Sequence, residues 1–170
     1  MKKFIVSLIL VGLTNLIAAQ NDLAVVLQKK VINKSKTIAI KNAAYLNNTS
    51  IDNTAEHIIL LHKKVAEFNV RELDIYTPQT TTTYDVVFTE GNNTIKATYN
   101  HNGDIISCNE LFEGIRLPYS ISSKLSKEYP GWEFSNTWCA IEYYENNQTK
   151  IVYTIRLKNG SKTKMIKINP

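Results

Sequence analysis

The sequence predicts an α+β fold made of tandem helix-plus-antiparallel-meander units, with the helices packed on one face of the sheet. Two helical stripes point to it, Ile58-Leu61-Val65-Phe68 and Ile121-Leu125-Tyr129, each leading into strands of alternating polarity. Turn signals at Gly91-Asn92, Asn102-Gly103 and Asn159-Gly160 separate those strands. In addition, Tyr84-Asp85-Val86-Val87-Phe88 answers Tyr153-Thr154-Ile155-Arg156-Leu157, the mark of an internal duplication.

The chain divides into residues 1-19, 20-52 and 53-170. Met1-Lys2-Lys3, the apolar run Phe4–Leu13 and the small residues Ala18-Ala19 form the charged, apolar and cleavable regions of a secretory signal peptide. Asn15 interrupts the apolar run short of the roughly 20 residues a membrane span needs. The expected location is therefore periplasmic or secreted, with no stable membrane insertion after cleavage. Residues 20-52 are weakly patterned. Leu23, Val26, Leu27 and Val31 are spaced roughly as in a helix, and Thr37–Ile40 has the content of a short strand.

From residue 53 the pattern sharpens. Asn53-Thr54-Ala55-Glu56 reads as a capping box opening a helix that ends near Phe68. A strand over Val70–Tyr76 follows, then an irregular threonine-rich link. With Gly91 and Asn92 as the two loop residues, Phe88 pairs with Ile95, Val86 with Ala97 and Tyr84 with Tyr99, apolar against apolar. Asn102-Gly103 turns the chain into a strand over Asp104–Cys108. Pro118 opens the second helix as its first residue, and Pro130-Gly131 closes it. A strand then runs from Trp132 towards Tyr144, with Trp132, Phe134 and Trp138 facing the core. Pairing across the later turns sets Ala140 beside Tyr153, Trp138 beside Ile155 and Tyr153 beside Ile166.

These motifs resemble the PepSY-like, β-lactamase-inhibitor-protein-like secreted domains of Bacteroidetes. The resemblance rests on Tyr99-Asn100-His101-Asn102-Gly103-Asp104-Ile105-Ile106, on Leu117-Pro118 opening a helix that ends Tyr129-Pro130-Gly131, and on Tyr153 through Gly160. It covers Val70 to the C-terminus, and Asn53 to Val70 more loosely. It implies a tandem helix-plus-meander domain whose open sheet face holds a partner, in an inhibitor-like role, and it brings no catalytic motif.

Net charge is +5 with pI near 9.1, but removing Lys2 and Lys3 leaves 18 basic against 15 acidic side chains. The remaining cations read as scattered among acids, with no phosphate-tracking run, so nucleic acid is not an expected partner. The chain contains no HExxH, Gly-x-Ser-x-Gly, P-loop or GxGxxG motif. His57 and His62 stand about 140° apart on a helix and cannot chelate from one face. No cofactor, metal or catalytic residue is therefore assigned.

Two cysteines, Cys108 and Cys139, leave a disulfide open, since pairing in an exported domain stabilises by about 3–4 kcal/mol. The alternation argues against it, with Cys108 beside Ala97 on the core face and Cys139 between Trp138 and Ala140 on the open face. A β-bulge would reverse that.

The open face should show Asp85, Val87, Lys96, Ile141, Tyr143, Val152, Thr154, Arg156 and Met165. Of these, Val87, Ile141, Tyr143, Val152, Arg156 and Met165 are the candidate partner-binding residues, because apolar groups beside arginine suit a protein interface. The expected function is a non-enzymatic binding module for a protein or peptide of the cell envelope. An envelope hydrolase or metal-dependent enzyme with a site assembled by the fold, and a structural homodimer subunit, are the alternatives.

Overall fold

A computed structural model describes residues 40–170, apart from Asn53 and Asn147. The signal-peptide reading, the helical spacing at Leu23–Val31 and the strand reading at 37–39 lie outside the described residues.

Six antiparallel strands form one sheet in sequential order, β1 (Thr83–Glu90), β2 (Asn93–Asn100), β3 (Ile105–Glu113), β4 (Glu133–Tyr144), β5 (Lys150–Asn159) and β6 (Lys162–Ile168). Helices α1 (Ala43–Thr49) and α2 (Glu56–Ala66) precede β1, and α3 (Tyr119–Glu128) joins β3 to β4. The fold is α+β, as the two periodicities require.

One face of the sheet is buried. Tyr84 and Phe88, Ile95, Ala97 and Tyr99, Cys108 and Phe112, Cys139, Ile141 and Tyr143, and Tyr153, Ile155 and Leu157 all contribute to a single core. Ile58, Leu61 and Val65 of α2 join it, as do Ile121 and Leu125 of α3. These are residues of the two apolar stripes, and burying such side chains contributes about 1.5–3 kcal/mol each. Tyr99 locks α2 to the sheet, its hydroxyl donating to the Val65 carbonyl at 2.7 Å.

The β1–β2 register is as the sequence predicts, with Tyr84 opposite Tyr99, Val86 opposite Ala97 and Phe88 opposite Ile95. Its loop is Gly91-Asn92, where Gly91 takes φ +57°, a left-handed conformation that costs glycine least. Ala97 also faces Cys108, as expected. That third strand runs on to Glu113, well past Cys108.

Other expectations are corrected. No strand forms over Val70–Tyr76. Val70–Glu72 is a 3₁₀ turn, because the Asn69 side chain accepts from the Arg71 amide and curls the chain. Tyr84 then ties down the following link, donating to the Thr77 carbonyl at 2.9 Å and accepting from its amide at 2.8 Å. Asn53 of the expected capping box lies outside the described residues, and the N-cap of α2 is Ala55, which has no side-chain acceptor. Pro118 is the N-cap of α3, so the helix begins at Tyr119, one residue later than expected.

The segment before residue 53 contributes more than its sequence suggests. Asn42 sits at φ 56° and begins α1. Its side chain accepts from the Ile105 amide at 2.9 Å and donates to the carbonyls of Ala66 at 2.8 Å and Gly103 at 3.2 Å. One asparagine thus joins α1 to the end of α2 and to the β2–β3 turn.

Candidate functional site

The site depends on which side chains each strand turns away from the helices, and in β4 one residue decides it. Phe134 opposes Leu157, but Asn136 opposes Arg156, so Ser135 is an extra residue in the ladder. Such a bulge reverses the facing of everything beyond it. Before it, Phe134 shares the core side with Leu157. Beyond it, Thr137 opposes Ile155, Cys139 opposes Tyr153, and Trp138 opposes Thr154. The predicted pairs Ala140–Tyr153 and Trp138–Ile155 are each out by one. Tyr153 lies opposite Ile168, and Ile166 faces Ile155.

Four residues change face with that shift. Ile141 and Tyr143 are buried at 0% and 3% exposure and belong to the core, so they are removed from the binding face. Cys139 moves to the core side, where it is fully buried. Trp138 moves the opposite way, onto the uncovered face, where the Arg156 guanidinium lies 5.2 Å from its ring centroid. The signal was in the sequence. Cys139, Ile141 and Tyr143 form an unbroken apolar set, whereas the alternate set carries the charge of Glu142.

The remaining candidates are on the uncovered face. Val87 and Met165 are 57% and 51% exposed, Arg156 is exposed and Val152 is half-buried. Leu111, missed in the sequence reading, adds 48% exposure opposite Ala140, which in turn faces Val152. Cross-strand neighbours thus form an apolar row, Leu111-Ala140-Val152, flanked by Trp138. Asp85 on this face accepts from the Thr98 hydroxyl at 2.6 Å, and Lys150 pairs with Glu142 at 3.4 Å.

Charge is less evenly spread than the sequence reading supposed. Residues 146–170 hold Lys150, Arg156, Lys158, Lys162, Lys164 and Lys167 and no Asp or Glu. Among the described residues, no carboxylate lies within ion-pair distance of the last five. The net positive charge is therefore concentrated on the β5–β6 hairpin, beside the apolar row.

Beneath the helices lies a second polar cluster, absent from the sequence reading. Glu110 points into the core from β3, 4% exposed. His62 Nε2 is 2.7 Å from its Oε2, and the Tyr45 hydroxyl donates to Oε1 at 2.7 Å. A buried charge is tolerated only when paired and hydrogen-bonded, and here α1 and α2 each supply a partner. The His62 ring meets Phe112 edge-on at 5.3 Å, and Tyr45 meets Tyr143 at 5.5 Å. Burial and the adjacent Glu110 charge raise the Tyr45 pKa, so its hydroxyl stays a donor. A cleft of about 700 Å³ opens beside this cluster, lined by Leu46, Ile51, Ile59 and His62 among others.

Cys108 and Cys139 are both free and buried. Cys139 opposes Phe112, and Cys108 is four residues further along β3. That is about 13 Å of strand, beyond the 4.4–6.8 Å Cα separation of a disulfide. Burial, reinforced by the Glu110 charge, pushes the Cys139 thiol up to about 12 and raises Cys108 too. Both are therefore thiols at neutral pH and serve as packing.

Among the described residues, no group of three His, Cys, Asp or Glu side chains could hold a metal ion. His57 is exposed on α2, and His101 is half-buried in the β2–β3 turn, away from the Glu110 cluster. No described helix is long and apolar enough to cross a membrane. No protein-family model, curated protein or solved structure matches the chain.

Proposed function

We propose that the chain is an exported, non-enzymatic binding module whose uncovered sheet face engages another protein. The observation that carries this is Trp138, placed outward by the Ser135 bulge, capped by Arg156 and continuous with Leu111, Ala140 and Val152. Aromatic and arginine side chains dominate protein interfaces, and a contiguous apolar row beside them supplies the buried centre such interfaces need. Arg156, Lys158 and Lys167, unpaired among the described residues, favour a partner surface that is acidic around an apolar centre. The element order, a helix before β1–β3 and another before β4–β6, supports reading the domain as two copies of one unit. It also accords with the PepSY-like resemblance, which would make the module inhibitor-like.

The test is affinity capture with the full chain against two variants, Trp138→Ala with Val152→Asp, and Arg156→Glu. A partner retained by the wild type and lost by both variants at unchanged thermal stability supports the reading. A partner set that is identical for all three removes the face from consideration.

A further inference from the structure

At the end of the sheet opposite β1, β6 pairs with β5 alone among the described residues. The hairpin loop is Gly160-Ser161, since Asn159 opposes Lys162. The pair flanking a two-residue loop exchanges both backbone hydrogen bonds, and bonded pairs then alternate along the ladder. Lys162, Lys164, Ile166 and Ile168 therefore spend their amides and carbonyls on β5. Those of Thr163, Met165 and Lys167 point outward, unpaired among the described residues. The strand is seven residues long, without proline or a register shift against β5, so these groups form a regular template.

Side chains around that template have one sign. Lys167, with Lys158 and Arg156 on the neighbouring strand, lies on the uncovered face, and Lys162 and Lys164 lie on the helix side. Lys164 is already positioned, 4.5 Å from the Tyr129 ring centroid with its ammonium donating to the phenol oxygen at 3.1 Å. A second copy of β6 would add its own Lys162, Lys164 and Lys167 to an edge that already carries these cations, and that accumulation of like charge disfavours self-pairing. An extended chain with carboxylates on both of its faces is complementary on both sides and satisfies the backbone groups as well.

We propose that the free edge of β6 is a strand-addition site for an extended acidic segment of a protein partner. This rests on the reading of the chain as a binding module and specifies how and by what chemistry the partner docks. Main-chain hydrogen bonds at Thr163, Met165 and Lys167 supply affinity, and the flanking lysines select acidic sequence.

The experiment measures binding of a fluorescent peptide of repeating Glu-Glu-Val-Val, which places carboxylates on both faces of an extended strand, to the full chain by anisotropy, with amide hydrogen exchange read at Thr163, Met165 and Lys167. Anionic phospholipid vesicles and oligo-dT are the competing polyanions. The expected result is salt-sensitive binding with exchange at those three amides slowed by about tenfold or more. Met165→Pro removes an outward donor and keeps every β5–β6 hydrogen bond, so it should weaken the peptide by about tenfold while preserving the fold, whereas Met165→Ala, which loses the side chain and keeps the donor, should bind the peptide as the wild type does. The triple variant Lys162→Glu, Lys164→Glu, Lys167→Glu keeps all backbone geometry and should abolish binding. Unchanged binding in Met165→Pro and the triple variant overturns the proposal, as does binding of oligo-dT or vesicles but not peptide. Trp138→Ala with Val152→Asp separates the two readings. Peptide binding that survives it but not Met165→Pro belongs to the edge, and the reverse pattern leaves the sheet-face function standing and the edge proposal overturned.

Discussion

His62 of α2 and Glu110 of β3 stand 48 residues apart in sequence, yet Nε2 and Oε2 meet at 2.7 Å beneath the helices. The Glu110 carboxylate is fully shielded from solvent, so its two hydrogen bonds are what make its burial tolerable. Deleting either partner leaves the other polar group stranded. Glu110→Ala and His62→Ala should each cost about 3–5 kcal/mol in urea denaturation, whereas Glu110→Leu with His62→Leu should recover much of that loss. Two single losses no larger than those of surface variants would show the pair to be incidental.

Facing in β4 is open to a direct comparison. Ile141→Ala empties a fully buried site and should cost about 2–5 kcal/mol. Trp138→Ala removes a larger side chain from the uncovered face, where its contact with Arg156 is worth about 0.5–1 kcal/mol. Were Trp138 in the core, the order of the two midpoints would invert.

Alkaline pH should loosen the fold with a defined sign. Cys139 is raised from 9.0 to about 12 by burial and the nearby Glu110 charge, and Tyr153 from 10.0 to about 12 by burial first. Above pH 9 the unfolded chain releases these protons and the native chain holds them. Stability is therefore fully present below pH 9 and falls as pH rises from there towards 12. Cys139→Ala should flatten the first part of that decline in denaturation midpoints taken at successive pH values.

Thiol counting addresses the cysteines. The native chain should resist alkylation at pH 8, and the denatured, unreduced chain should titrate two thiols, Cys108 and Cys139. A denatured chain that titrates none without reductant would require a disulfide, and with it a different β4 register.

Asn42 offers a test of the segment ahead of α2. Asn42→Ala loses three hydrogen bonds and places a Cβ-bearing apolar residue at φ 56°, for a combined cost of about 2–4 kcal/mol. Asn42→Gly relieves the backbone but not the hydrogen bonds, and should fall between Ala and wild type on thermal melting.

How far each element was legible follows from the range of the forces that specify it. The β1–β2 hairpin could be placed pair by pair, because a two-residue glycine loop and strict alternation leave only one register that keeps Tyr84, Val86 and Phe88 together. The apolar stripes of α2 and α3 were equally readable. The beginning of α2 was misplaced because the capping pattern drew it to Asn53, whereas the helix starts at Glu56 behind Ala55. Val70–Tyr76 has strand-like side chains, but the Asn69 turn curls the start of that segment.

The uncovered face was half legible. Val87, Val152, Arg156 and Met165 were found by alternation, while Ile141 and Tyr143 were assigned to it because the alternation was carried unbroken past Ser135, against the apolar set that Cys139, Ile141 and Tyr143 form. Glu110 presents the opposite difficulty. A glutamate between Cys108 and Phe112 at a core position looks like an exception until Tyr45 and His62 arrive from two other elements.

The sequence by itself determined the α+β class, the six strands of the sheet, helices α2 and α3 and the hairpin turns, since these depend on local periodicity and on residues that tolerate positive φ. Tertiary structure alone decided which way β4 faces, which acid is buried, and that the lysines of β6 sit on an edge unpaired among the described residues. Those outcomes depend on a one-residue bulge and on contacts between distant segments, where small local differences are outweighed by the free energy of satisfying a buried charge and closing a single core.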